Sequence, residues 1–305
     1  MSCFLSLGEI MVEMAPADGG LFRKGYAGDT FNTAWYTRRL LPADWDVSYG
    51  TVVGTDAVSD DMLRFIAAQG VGTDTIRRDP ARTAGLYMIS LDKGERSFSY
   101  WRGQSAARTL GDDPAWLDGI LQGTDVVQVS GITLAILPPE GRTTLCAALG
   151  RARANGTHVA FDTNLRPRLW EDAQTMAEGL KMGAAVSDTV LPSFDEEQLC
   201  FGDITPDDTI ARYRALGATT VAVKNGSDIC HVWSEAEGDF RYDPPAVAQV
   251  VDSTAAGDSF GAGFLAARAM GGSVAEATKA AASLAAQVIQ QRGALAPQIF
   301  EGGNT

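Results

Sequence analysis

Val250-Val-Asp-Ser-Thr-Ala-Ala-Gly-Asp-Ser-Phe-Gly-Ala-Gly-Phe264 is the stretch from which the rest of the chain is read. An apolar extended end gives way to a turn of small residues, and a helical pattern then runs over 256–270. A strand that hands over to a helix in this way is a building unit of α/β sheets. Small side chains at Ala255, Ala256 and Gly257 leave the first N–H groups of the helix bare. Those donors, with the helix dipole, suit an anion. Asp258 falls in the first turn, its carboxylate beside that anion seat. An acid so placed can take a proton from an alcohol while a phosphoryl group arrives. The plainer reading is an acid that satisfies the helix dipole beside residues kept small for packing.

Two other motifs overlap the run, and neither holds. Gly257-Asp-Ser-Phe-Gly261 has the G-x-S-x-G form, but hydrolases of that fold place their histidine after the serine. Both histidines, His158 and His231, precede Ser259. Gly261-Ala-Gly-Phe-Leu-Ala266 has a dinucleotide spacing, yet it lies inside the helix pattern. No acid between Glu276 and Glu301 is available for a ribose. A Gly-Lys pair, and with it a Walker A loop, is missing from the sequence.

Outward from this run, strand patterns at 4–12, 47–53, 125–129, 158–162, 185–191 and 219–223 alternate with helix patterns at 30–41, 59–69, 139–154, 171–182 and 207–216. A second closing helix is expected over 273–291, with Ser273 and Glu276 as capping box. The alternation predicts right-handed crossovers, a mostly parallel sheet and helices on both faces, a three-layer α/β/α core. Residues 13–27 and 83–102 break the rhythm, being strand-like with no crossover helix. Asp92-Lys93-Gly94 signals a hairpin within the second. They are expected to form a small antiparallel sheet standing off the core, a lid that covers a site or meets a partner. The core is then 1–12, 28–82 and 103–305, and the lid 13–27 and 83–102.

The 305 residues, 45% hydrophobic and 21% charged, suffice for a large core without staples. With 38 acidic against 25 basic side chains the net charge is -13, which argues against nucleic acid or an anionic membrane as partner. The opening residues carry no basic leader, and no apolar run approaches a membrane span. Cys3, Cys146, Cys200 and Cys230 form no metal or disulfide pattern, so reduced thiols in a cytoplasmic protein are expected.

Further polar clusters fall where α/β sheets bind ligands. In Phe161-Asp-Thr-Asn-Leu-Arg-Pro-Arg-Leu-Trp170, Pro167 stops an immediate helix, so Asp162, Asn164 and Arg166 stand at a strand's carboxyl edge. Arg166 there suits an anion, unless it pairs with Asp162. Gly25-Tyr-Ala-Gly-Asp-Thr-Phe-Asn32 opens a helix and offers Asp29, Thr30 and Asn32 to a polyol's hydroxyls; Asp29 as an ordinary cap is the alternative. Tyr87, Tyr100 and Arg102 lie in the hairpin, and the last two share a strand face. Ring and guanidinium on one face suit a hydroxylated carboxylate, though an edge strand of a dimer sheet has the same pattern. Glu196, in Ser193-Phe-Asp-Glu196, is either a ligand of magnesium-bound water or part of a capping box. Val223-Lys-Asn-Gly-Ser227 is a polar turn that touches a nucleotide or is only a turn.

Taken together, the segments resemble the ribokinase-like (PfkB) family of sugar kinases over nearly the whole chain. Asp252-Ser-Thr-Ala-Ala-Gly-Asp258 is similar to its C-terminal signature, and Ala27-Gly-Asp-Thr-Phe-Asn32 to its sugar-binding glycine motif. The segments 85–102 and 162–170 resemble the lid and arginine loop of the branch that acts on 2-keto-3-deoxygluconate. The resemblance implies ATP-dependent phosphorylation of that sugar acid's terminal 6-hydroxyl, with Asp258 as base and Ala255, Ala256 and Gly257 as anion hole. It implies that Gly28, Asp29, Asn32, Tyr87, Tyr100, Arg102 and Arg166 meet the substrate. Asn164, Arg166, Lys224, Gly226, Ser227 and Gly257 would line ATP, and Glu196 would reach Mg2+ through water. A monovalent cation near Asp252 and a homodimer through the lid, or a higher homo-oligomer, are implied as well. A fructokinase or ribokinase acting on a neutral sugar, and a non-catalytic sugar or nucleotide sensor, are the alternative readings.

Overall fold

Successive residues of the strands alternate between two hydrophobic cores, as a sheet covered on both faces requires. In the computed structural model, which describes residues 2–92 and 95–301, Phe4, Val126, Ala160 and Ala222 pack into one core. Their neighbours Leu5, Val127, Val159, Phe161, Val221 and Val223 pack into the other.

The strands are β1 (Ser2–Leu7), β2 (Met11–Pro16), β3 (Phe22–Ala27), β4 (Trp45–Gly54), β5 (Ile76–Asp79), β6 (Leu86–Asp92) and β7 (Glu95–Trp101), then β8 (Val126–Ser130), β9 (His158–Asp162), β10 (Thr189–Val190), β11 (Thr220–Val223), β12 (Cys230–Ser234) and β13 (Gly238–Tyr242). The helices are α1 (Asp29–Leu40), α2 (Ala57–Ala68), α3 (Pro114–Leu121), α4 (Gly131–Ile136), α5 (Pro139–Ala154), α6 (Ala173–Ala185), α7 (Phe194–Phe201), α8 (Pro206–Ala215), α9 (Ala256–Ala269) and α10 (Val274–Val288). Among the described residues the main sheet runs β13-β12-β11-β10-β9-β8-β1-β4-β5. It is parallel from β5 to β11 and closes with an antiparallel β11-β12-β13 edge. Helices α1, α2, α9 and α10 contribute to the first core, and α3 to α6 and α8 to the second. The expected three layers are present.

Three expectations are corrected. The strand expected at 4–12 is two strands: β1 ends at Leu7, and after Gly8-Glu9-Ile10 the chain enters β2 of the smaller sheet. The smaller sheet therefore takes in Met11 and Val12. That sheet, β3-β2-β6-β7, is mixed rather than antiparallel, since β2 and β6 leave the core in the same direction and pair parallel at Val12↔Leu86. The strand expected at 185–191 shrinks to Thr189–Val190, because α6 extends to Ala185. The hairpin expected at 92–94 joins β6 to β7, which pair in register from Leu86↔Trp101 to Asp92↔Glu95; Lys93 and Gly94 lie outside the described residues.

Gly28 marks where β3 returns to the core. Its φ of -179° is open to any residue, but a Cβ there would lie 2.1 Å from the Glu9 carbonyl oxygen. Backbone meets backbone, so no side-chain rotation relieves the overlap. Gly28→Ala is expected to lower stability by about 1–3 kcal/mol, read by thermal denaturation. An unchanged melting temperature would show that the core–lid junction opens freely.

Candidate active site

The cleft lies where the carboxyl ends of β1, β8, β9 and β11 meet the N-termini of α1 and α9, the ligand position of an open α/β sheet. Its volume is about 490 Å³, and it brings together Gly28, Asp29, Asn32, Tyr87, Tyr100, Arg102, Asn164, Arg166, Glu196, Lys224 and Ala255 to Asp258.

Asp258 is the centre of this arrangement. It is 9% exposed and accepts a hydrogen bond from Asn32 Nδ2 at 2.8 Å, while Thr33 Oγ1 donates to its carbonyl at 3.3 Å. Burial, and then the nearby Asp29 charge, push its carboxyl up to about 8 against the opposing pull of Asn32 and Lys224. Asp29 is itself pushed up by burial, although Ser130 Oγ (2.5 Å) and Asn164 Nδ2 (3.2 Å) both donate to its Oδ2. It is therefore not a simple exposed cap of α1. Two buried acids near one another each hold a proton more tightly than in water.

The turn before α9 has the form that the small residues suggest. Ala255 sits at φ 61°, the left-handed region that a residue with a Cβ enters only under constraint. Ala256 N–H donates to Ser253 O at 3.2 Å, which narrows the expected three-residue anion hole. Ser259 N–H to Ala255 O, at 2.9 Å, is the first bond of the helical ladder, so the N–H groups of Gly257 and Asp258 precede it. A Cβ on Gly257 would lie 3.5 Å from Lys224 Nζ, which brings an ammonium to the same spot. Lys224 is held by Asp162 Oδ1 at 2.9 Å, and both side chains are almost wholly buried.

This pairing corrects one alternative of the sequence, since Asp162 belongs to Lys224 and not to Arg166. Arg166 instead bonds Glu196 Oε1 at 2.7 Å, while Leu165 N–H donates to Glu196 Oε2 at 3.0 Å. Glu196, whose carboxyl burial pushes up, thus fixes the arginine loop, and Ser193 shows no side-chain cap on α7.

Comparison with known proteins settles the family. The model of the pfkB family of carbohydrate kinases matches residues 5–299. The chain belongs to this family. It is 39% identical over 300 residues to the 2-dehydro-3-deoxygluconokinase of Dickeya dadantii, covering 95% of this chain and 96% of that protein. The 2-dehydro-3-deoxygluconokinase of Escherichia coli K12 is also 39% identical, over 96% of both chains. Among solved structures, a putative ribokinase II of E. coli in complex with ATP and Mg2+ superposes with a TM-score of 0.83 at 26% identity, over 96% of this chain and 94% of that one. The ribokinase-like α/β fold and the carbohydrate kinase class follow.

In this pfkB kinase Gly226 and Ser227 do not line the Asp258 cleft. They border an adjoining, more apolar cavity of about 730 Å³ with Pro245, Val250, Phe260 and Ile289. Lys224, Ser253 and Ala256 border both spaces, so the two form one trough with a polar and an apolar end. The described residues hold no cluster of three or more His, Cys, Asp or Glu able to cage a metal. Mg2+ keeps waters and takes phosphate oxygens, and Asp162 and Glu196 are acids on the cleft wall beside the arginine loop. Both Asp252 oxygens accept hydrogen bonds, Oδ1 from Thr254 N–H and Oγ1, Oδ2 from Gly293 N–H.

On the lid side Tyr87 donates its hydroxyl to Glu13, so it offers the cleft mainly its ring, 5.9 Å from that of Tyr100. Tyr100 is half exposed. Arg102 lies just past the end of β7 and pairs with Glu9, a residue the sequence patterns did not single out. The four cysteines are free, and no described helix is long and apolar enough to cross a membrane.

Proposed function

We propose that this pfkB kinase transfers the γ-phosphoryl group of ATP to the 6-hydroxyl of 2-keto-3-deoxygluconate, as a cytoplasmic enzyme. One observation carries the reading: the buried Asp258 carboxylate stands beside first-turn helix amides and the Lys224 ammonium, in a cleft whose rim carries Arg102 and Arg166. The 39% identity to proteins named for that activity supports the substrate. Asp258 takes the hydroxyl proton, with Asn32 holding its carboxylate in line. The N–H groups of Gly257 and Asp258 and the Lys224 ammonium meet charge on the transferring group. Mg2+, when bound, neutralises phosphate charge, and Glu196 would hold one of its waters. Asp29 and Gly28 shape the polyol end, Tyr87 and Tyr100 give it ring faces, and Asn164, bonded to Asp29, stands toward the nucleotide. The trough's apolar end, by Gly226 and Ser227, fits a nucleobase. The monovalent cation near Asp252 belongs to this reading, as does a homodimer through the lid, where Leu21, Phe22 and Trp101 are exposed.

ADP release across a panel of sugar acids and neutral sugars tests the proposal. Turnover of the sugar acid above all others is expected. Preference for a neutral ketose would make this a fructokinase or ribokinase, and no release with any sugar would make it a sensor. Arg102→Leu removes a charge-assisted contact, and KM for the sugar acid is expected to rise about 10–100-fold. An unchanged KM would take Arg102 out of substrate recognition.

A further inference from the structure

All four passages between core and smaller sheet meet at one residue, Glu9. Glu9 lies between β1 and β2, Gly28 follows β3, Gly85 precedes β6, and Arg102 follows β7. A Cβ on Gly28 would strike the Glu9 carbonyl, and one on Gly85 would lie 2.8 Å from Glu9 Oε1 and 3.2 Å from Arg102 Cβ. The Glu9 side chain is 0% exposed and pairs through Oε2 with Arg102 Nη2, whose side chain is 10% exposed. Both Glu9 carboxylate oxygens and Arg102 Nε are buried with no hydrogen bond among the described residues, so Glu9 and Arg102 meet as an ion pair. Arg102 forms part of the cleft wall; Glu9 stands behind it.

We propose that Glu9 is the positioning residue for Arg102, fixing where the guanidinium stands when an anionic substrate group enters the cleft. The identity of that group rests on the sugar-acid reading above. An arginine side chain has four flexible bonds, and its fork binds a carboxylate well only when its plane is set beforehand. A buried ion pair adds little net stability because both charges lose water, so stability alone does not account for a fully dry glutamate. Charge alone predicts the opposite of help, since an anion behind Arg102 works against an anionic ligand in front of it. Orientation is the effect left, and the convergence of four backbone passages gives Glu9 a fixed base from which to supply it.

Glu9→Asp keeps the charge and withdraws the carboxylate by one methylene, ~1.5 Å. KM for the sugar acid is expected to rise about tenfold, with KM for ATP within about twofold and kcat falling less than KM rises. Glu9→Gln, which keeps length and loses charge, is expected to raise the same KM. An unchanged KM in folded Glu9→Asp overturns the proposal. So does a lower KM in Glu9→Gln, which would make Glu9 a charge brake. In an Arg102→Leu background, Glu9→Gln is expected to add nothing further to KM, and an additive rise overturns action through Arg102. If the parent enzyme turns over neutral sugars alone, the substrate reading fails. The same cycle, run on the KM of the sugar that is used, still decides the role of Glu9.

Discussion

Asp258→Asn is expected to lower kcat by about two to four powers of ten while the fold persists. The amide keeps the volume and the contact with Asn32, but cannot take a proton. With the carboxyl pushed up to about 8, kcat/KM of the parent enzyme should climb with pH and level off above that value. Near-parent turnover in the variant would remove Asp258 from the base role. The same shift makes a stability prediction of definite sign. Between the ordinary value of 3.8 and about 8 the folded state binds more protons than the unfolded one, so folding stability falls as pH rises through that window. The buried acid therefore costs stability over the pH range in which it would serve as a base. Asp258→Asn should melt at least about 2 °C above the parent at pH 8, and the gain should shrink as pH falls toward 4. A variant that melts lower at pH 8 would show that the ionised carboxylate is held by contacts stronger than those seen here. An inactive yet more stable protein is the pattern of a residue kept for chemistry.

Much of this was legible in the chain because hydrophobic period and turn residues act locally. The expected strand at 158–162 and helix at 139–154 coincide with β9 and α5, since each is bounded by local breakers or caps. The smaller sheet was visible as two strand-like segments without a crossover helix. Gly8 to Ile10 escaped because apolar residues resume at once at Ile10 and Met11, and only the placement of the second sheet shows that the chain leaves the first. The Asp162 partner was equally non-local. Arg166, four residues on, was the sequence neighbour to consider, whereas Lys224 arrives 62 positions later at the end of β11, two strands away from β9. Glu9 gave no signal at all. A lone acid inside an expected strand resembles any outward-facing polar residue until Arg102, 93 positions on (102 − 9), is brought against it by the return of the smaller sheet.

Lys224→Met should fail in two separable ways. Asp162 is 4% exposed and bonded to Lys224 Nζ at 2.9 Å, so removing the ammonium leaves a buried carboxylate without its charge partner. Breaking one side of such a pair costs about 3–5 kcal/mol. The ammonium also stands where a Cβ of Gly257 would lie 3.5 Å away, beside the anion turn, and its loss there should lower kcat by about 10²–10³-fold. Lys224 is moreover one of the charges that hold the Asp258 carboxyl down, so the rising limb of the pH profile should move to higher pH. Adding Asp162→Asn separates the effects. The double variant no longer buries an unpaired charge and should regain most of the lost stability in chemical denaturation, yet its kcat should stay low. Recovery of both would reduce Lys224 to a structural counter-ion. Recovery of stability alone leaves the ammonium as a group that acts on the transferring phosphoryl.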